Sequence, residues 1–234
     1  MNRTDVNAPA GRMRAGPLPA RILPFALYMA FVAVVPAIGS LWPAFDIRWL
    51  YPVKVAVVAG ALVLYWPAYR ELADCRLTAA EVLVALASGL AVFVAWINLD
   101  LPGISLMAAD AAGFDPRAAD GAIVWPLAAM RLGGAALVVP VMEELFWRSL
   151  VMRWIDCHDF LGLEPRAISR RALLAASVVF GLEHHLWLAG ILAGLVYGEL
   201  YRRSGKLWLP VLGHAVTNGA LGLWVLSTGD WRFW

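Results

Sequence analysis

Long apolar runs separated by short, Arg-bearing joints dominate the chain. Seven such runs can be marked, at about residues 20–42, 49–69, 80–101, 122–155, 171–184, 187–201 and 207–228. A helix needs about 20 apolar residues to cross the hydrocarbon core of a bilayer. The runs at 171–184 and 187–201 are shorter and require burial in protein or a thin site. No run shows the two-residue alternation of a half-buried strand. The pattern predicts an all-α polytopic transmembrane helical bundle of about seven spans, with the N-terminus cytoplasmic. The fourth run is long enough for one extended helix, or for a span plus an amphipathic turn. Pro140 within it should kink or locally open the helix.

Residues 1–19 are polar, Arg-bearing and rich in Pro, Gly and Ala, and read as a disordered tail. The run that follows ends near Ala37-Ile38-Gly39, a weak likeness to a signal cleavage site. It is longer than a signal-peptide core, so it reads as an uncleaved first helix. The chain then divides into a three-span scaffold at 20–121, a core at 122–228 and a C-terminal tail at 229–234.

Composition agrees with the spans. Of 234 residues, 62% are hydrophobic and 15% charged, and the mean hydropathy is +0.70. Soluble domains hold roughly 45–50% apolar residues. Disordered, collagenous and disulfide-scaffold classes are excluded by the same figures. A net charge of +2, from 19 cations against 17 acids, gives no reason to expect nucleic acid as a partner.

Placement of the cations sets the orientation. With the N-terminus inside, cytoplasmic segments hold Arg3, Arg12, Arg14, Arg21, Arg70, Arg76, Arg153, Arg166, Arg170, Arg171, Arg202, Arg203 and Lys206, and opposite segments only Arg48, Lys54, Arg117 and Arg232. This asymmetry fits the positive-inside rule. The loop at 102–121 carries Asp110, Asp115 and Asp120 instead. Cys75 and Cys157 then both face the cytoplasm, where thiols stay reduced, and neither lies in a CxxC or Cys/His cluster.

Ionisable residues at membrane depth are costly and usually functional. Arg131, Glu143, Glu144, Arg148, Glu183, His184, His185, Glu199 and His214 fall there, all beyond residue 122. Function is therefore expected between 122 and 228. In Glu143-Glu144-Leu145-Phe146-Trp147-Arg148, Glu144 and Arg148 stand at i and i+4, an orientation that favours an ion pair. Glu143 points about 100° away. Left without a local cation in a dry setting, it suits general-base work on water. Phe180 and His184 share a helix face, as do His214 and Asn218. The last two are potential donors to an oxyanion, or equally polar glue between helices. Gly190, Gly194 and Gly198 form a small-residue stripe for close packing.

Taken in order, Glu143-Glu144-x-x-x-Arg148, Phe180-x-x-x-His184 and His214-x-x-x-Asn218 resemble the CPBP family of intramembrane proteases, also called the Abi or CAAX-protease family. The resemblance covers roughly residues 122–228. It implies a glutamate-dependent intramembrane endopeptidase with no metal and no cofactor. By the resemblance, Glu143 activates water, Glu144 and Arg148 form a supporting pair, and Phe180 packs the motif. His184 helps hold the water or substrate, and His214 and Asn218 stabilise the oxyanion. Implied partners are the lipid bilayer and a membrane-embedded or lipid-anchored protein or peptide substrate. Composition points to a bacterial inner membrane. Glu183 and His185 lie outside the motifs.

Other classes remain in view. A non-catalytic immunity or adaptor protein could use the same scaffold. A metal-dependent peptidase could use Glu143, Glu144, His184 and His214, although the HExxH template is missing. A proton-coupled transporter would show an inverted repeat, and none is visible. A glycosidase is disfavoured because the adjacent acids diverge on their helix.

The orientation can be checked directly. In a background with Cys75 and Cys157 replaced by Ser, a cysteine placed at Asp110 should react with an impermeant thiol reagent from outside the cell. One placed at Arg166 should react only after the membrane is opened. The reverse result refutes the orientation.

Overall fold

A computed structural model describes residues 16–100 and 113–234. Residues 1–15 of the expected tail and much of the loop at 102–121, including Asp110, lie outside the described residues, while residues 17–19, expected to be tail, already form the first turn of α1 because Pro17 suits a helix start. Among the described residues seven principal helices follow one another: α1 Pro17–Leu41, α2 Leu50–Tyr65, α3 Ala79–Asn98, α4 Trp125–Trp154, α5 Arg170–Leu182, α6 Trp187–Ser204 and α7 Trp208–Thr228. The all-α class predicted from the runs is the observed one. Five helices, counting α2 with its flanking turns, are long and apolar enough to span. The other two are not. At 1.5 Å per residue, the 13 residues of α5 rise only about 20 Å. Helix α6 ends in Glu199, Arg202 and Arg203.

Local chemistry fixes several helix ends. Pro17 occupies the first turn of α1, where its missing N–H costs nothing. Thr78 and Glu81 close a reciprocal capping box at the start of α3. The Ser169 hydroxyl accepts from the Ala172 amide at the start of α5. Gly205 and Gly229 end α6 and α7 with φ of +76° and +72°, a conformation that glycine adopts without strain. The fourth run is one continuous helix, not a span plus a turn. Pro140 is accommodated by widened π-type turns at Gly134–Val138 and Leu145–Val151.

Both short helices are sheltered by each other. The glycine stripe of α6 lies against α5 so closely that a Cβ on Gly190 would stand 2.8 Å from the Gly181 Cα, and one on Gly194 2.9 Å from the Ser177 Cα. A Cβ on Gly198 would meet the Leu173 Cδ1 at 2.4 Å. Van der Waals contact between backbones replaces the hydrophobic drive that is missing in lipid. The turn between α5 and α6 carries an exposed Glu183 and the half-buried His184 and His185.

Polar contacts sort to the two ends as the charges predicted. At one end Arg21, 1% exposed, donates to Glu71 at 2.6 Å, to the Ser149 hydroxyl at 2.8 Å and to the Pro17 carbonyl at 2.8 Å. It thereby ties α1 to the α2–α3 connection and to α4. Burial pushes the Glu71 carboxyl up, but the Arg21 guanidinium and the hydrogen bonds outweigh it and hold the group below its ordinary value. With the folded value lowered, this contribution is present at neutral pH and is lost as pH falls through that value. Lys206 joins this end through Glu81 at 2.8 Å. At the other end Arg48 donates to the carbonyls of Asp115 and Arg117 at 2.9 and 2.6 Å. There Arg232 pairs with Asp100 at 3.0 Å. The last residues, 229–234, fold back: Trp231 and Phe233 are buried with Leu186, Leu221 and Val225.

Close packing of α5 on α6 should be intolerant of bulk. Gly194→Leu overpacks the contact and should cost about 1–3 kcal/mol. It should lower the melting temperature in detergent, whereas Gly60→Ala, with nothing within 4 Å of its Cβ position, should not. Equal melting temperatures for the two variants would contradict the packing account.

Candidate active site

Pro140 shapes the site through a carbonyl that it leaves unbonded. In the widened turn the Val139 amide bonds back to the Gly134 carbonyl, five residues away. The Ala135 carbonyl would next receive the amide of residue 140, but proline has none. The Asn218 side chain of α7 fills the gap, donating its Nδ2 to the Ala135 oxygen at 2.8 Å. A buried carbonyl at membrane depth needs such a partner. Asn218 therefore locks α7 to α4, and one of its two amide hydrogens is committed there.

About one turn beyond Pro140 along α4, Glu144 is fully buried between two partners. The Arg148 Nε lies 3.0 Å from its Oε2, so the pair expected from the i,i+4 spacing is present. Alignment in this pair is poor: the Glu144 Oε2 and both terminal nitrogens of Arg148 lack a well-directed hydrogen bond. The Arg148 guanidinium instead lies over the ring faces of Phe180, at 4.4 Å, and Tyr197, at 5.5 Å. The other oxygen of Glu144 accepts from the His214 Nδ1 at 2.9 Å. This second partner was not legible in the motif spacing, because it lies 70 residues away.

His214 is held on all sides. Its ring stacks on Tyr197, with centroids 4.9 Å apart and planes 17° from parallel. The Tyr197 hydroxyl donates to Thr217 at 2.6 Å, and Thr217 donates to the Gly89 carbonyl of α3 at 2.7 Å. Since Nδ1 is engaged by Glu144, Nε2 is the atom left to act. It stands 3.9 Å from the Glu143 Oε2, beyond hydrogen-bonding range.

Glu143 is 7% exposed, yet its Oε2 is buried and meets no donor among the described residues. The adjacent acids thus differ as their helical directions predicted: Glu144 meets a partner at each oxygen, whereas the Glu143 Oε2 has no hydrogen-bond donor among the described residues. His184 approaches Glu143 from the α5–α6 turn. Its Nδ1 bonds to the Phe180 carbonyl at 2.7 Å. A carbonyl only accepts, so Nδ1 carries the hydrogen and Nε2 presents a lone pair. Trp96 of α3 meets the ring edge-on at 5.4 Å. Glu183, unexplained by any motif, accepts from the Trp147 Nε1 at 3.1 Å. Ligating atoms of Glu143, Glu183 and His184 all lie within 4.8 Å of one another.

Glu143, His184 and His214 thus come together from α4, the α5–α6 turn and α7. Asn218 sits one turn from His214 on the same helix, facing α4. Arg131 and Glu199, also marked in the sequence, stand apart from this group. Arg131 lies over Tyr51 and Phe114, at 4.7 and 5.8 Å. Glu199 pairs with Arg202 and Arg203 at the end of α6.

Comparison with known proteins places the same region. Residues 125–220 match the family model described as type II CAAX prenyl endopeptidase Rce1-like. A curated protein of Bacillus subtilis (strain 168), named "Putative membrane peptidase YdiL", is 28% identical over 88 residues, covering 36% of this chain and 32% of that protein. The chain thus matches about a third of the length of that relative. No solved structure gives a significant match. Residues 125–220 are thus similar to the CAAX-endopeptidase family, and a part of the chain is similar to a protein named as a membrane peptidase. With the apolar helices, these matches support an integral, multi-pass membrane protein.

The Glu144 network makes a stability prediction. Removing one member of a buried pair typically costs about 3–5 kcal/mol. Glu144→Gln and Arg148→Met should each lower the detergent melting temperature, and the double variant should recover part of the loss. Additive losses in the double variant would contradict the pairing.

Proposed function

We propose that this chain is a metal-independent intramembrane glutamic endopeptidase of a bacterial inner membrane. It cleaves a peptide bond in a membrane-associated protein or peptide, with prenylated or otherwise lipid-anchored chains as the substrate class. The observation that carries this reading is the asymmetry of the adjacent acids. Glu144 is bound by Arg148 and His214, and the Glu143 Oε2 has no donor among the described residues.

A general base must be free to take a proton. In this reading Glu143 takes it from a water that the His184 Nε2 helps to hold. The hydroxide attacks the scissile carbonyl carbon, and the proton passes from Glu143 to the leaving amine. The second Asn218 amide hydrogen donates to the oxyanion that forms, and so does the His214 Nε2 when the ring carries a proton on each nitrogen. Glu144 orients His214 through Nδ1, as a carboxylate orients a catalytic imidazole elsewhere. Metal independence is supported by the same contacts: Glu144 and the His214 Nδ1 are spent on each other.

Glu143→Gln keeps the side-chain shape and removes the base. Peptide turnover by the purified protein should fall by about 10²–10⁴-fold, with the melting temperature unchanged. Glu144→Gln should instead lose turnover together with stability. Full turnover in a folded Glu143→Gln variant refutes the glutamate mechanism. A cellular phenotype that survives Glu143→Gln favours the non-catalytic adaptor reading.

A further inference from the structure

Glu183 is the acid that the proposed reaction leaves unused. It is exposed at the turn between α5 and α6, and its Oε1 is fixed by the Trp147 indole at 3.1 Å. Its carboxylate stands beside Glu143 and His184. Three side chains therefore present ligand atoms to one point, all within 4.8 Å of one another. Two further observations point to a cation there. The Glu143 Oε2 is buried with no donor among the described residues, in a residue only 7% exposed. The His184 Nδ1–H is tied to the Phe180 carbonyl at 2.7 Å, which orients the ring and leaves Nε2 as the donor atom. A backbone carbonyl behind a ligating imidazole is the usual support of a metal-bound histidine.

We propose that Glu143, Glu183 and His184 form a divalent-cation site of the zinc type, whose occupancy blocks Glu143. Two carboxylates balance the charge of a dication. The nearest guanidinium, on Arg148, is already committed to Glu144 and to the Phe180 ring. An imidazole among the ligands favours zinc or a related transition metal over magnesium or calcium. Zinc binds such ligands at about 2.0–2.2 Å and keeps a water in the fourth position. The three groups must therefore draw together by about an ångström. Glu183, on an exposed turn, is the arm that closes. Only the inhibitory consequence rests on the glutamic-peptidase reading, since a metal on Glu143 occupies the lone pair that would take the proton.

The test uses the full-length protein in detergent, stripped with chelator and titrated with zinc chloride against a competing zinc indicator, with magnesium chloride in parallel. Wild type should take up one zinc and no magnesium, and Glu183→Gln should bind zinc at least about tenfold more weakly. X-ray absorption of the zinc-loaded wild type should show nitrogen and oxygen ligands at about 2.0–2.1 Å. This readout stands even if the variant folds poorly. Zinc should slow peptide turnover of wild type more than that of Glu183→Gln, each taken relative to its own rate in chelator. Equal zinc affinity in the two proteins, or sulfur ligation from Cys75 or Cys157, would overturn the site. Faster turnover on adding zinc would overturn the inhibitory role and the metal-independent mechanism while leaving the site intact. The binding and absorption measurements decide the site whether or not any peptide is cut.

Discussion

The carboxylate of Glu144, buried between Arg148 and His214, is the constraint on which the centre of this bundle depends. A charge at that depth is tolerated only with partners. Satisfying it fixes three things together: the Arg148 side chain along α4, the position of α7 through His214, and the ring faces of Phe180 and Tyr197 that receive the guanidinium. Because Glu144 takes up the local cation, its neighbour Glu143 is left without one. An adjacent pair of identical residues thereby acquires two roles, one holding the helices and one available for chemistry.

Backbone irregularity serves the same centre. Pro140 denies the Ala135 carbonyl its donor, and Asn218 replaces it from α7. Thus α7 is joined to α4 at two polar points, Asn218 and His214, one helical turn apart. The glycine contacts hold the short α5, about 20 Å long, close against α6, and the turn that joins them places Glu183 and His184 beside Glu143. A broken helix at membrane depth is acceptable where its free polar groups face protein or a ligand.

Much of this was legible in the sequence, for physical reasons. Apolar run length sets helix position, so the boundaries of α3 and α7 agree with the runs at 80–101 and 207–228 to within about three residues. The Glu144–Arg148 pair followed from helical spacing, and the glycine stripe from its four-residue period. Contacts between distant segments were not legible. The spacing of His214 and Asn218 showed that they share a face, but not that one meets Glu144 and the other meets a carbonyl of α4. Pro140 announced a disturbance without saying that a widened turn would absorb it. Glu183 carried no motif, and its link to Trp147 depends on how α5 packs on α4.

The central claim is that Glu143 cuts a membrane-associated chain, and the most direct measurement is terminal proteomics of membrane fractions. Cells carrying wild-type protein are compared with cells carrying Glu143→Gln at equal abundance. The account predicts at least one membrane-associated protein whose new terminus appears with wild type and whose intact form accumulates with Glu143→Gln. Identical termini in the two fractions, with both proteins folded and present in the membrane, would contradict it.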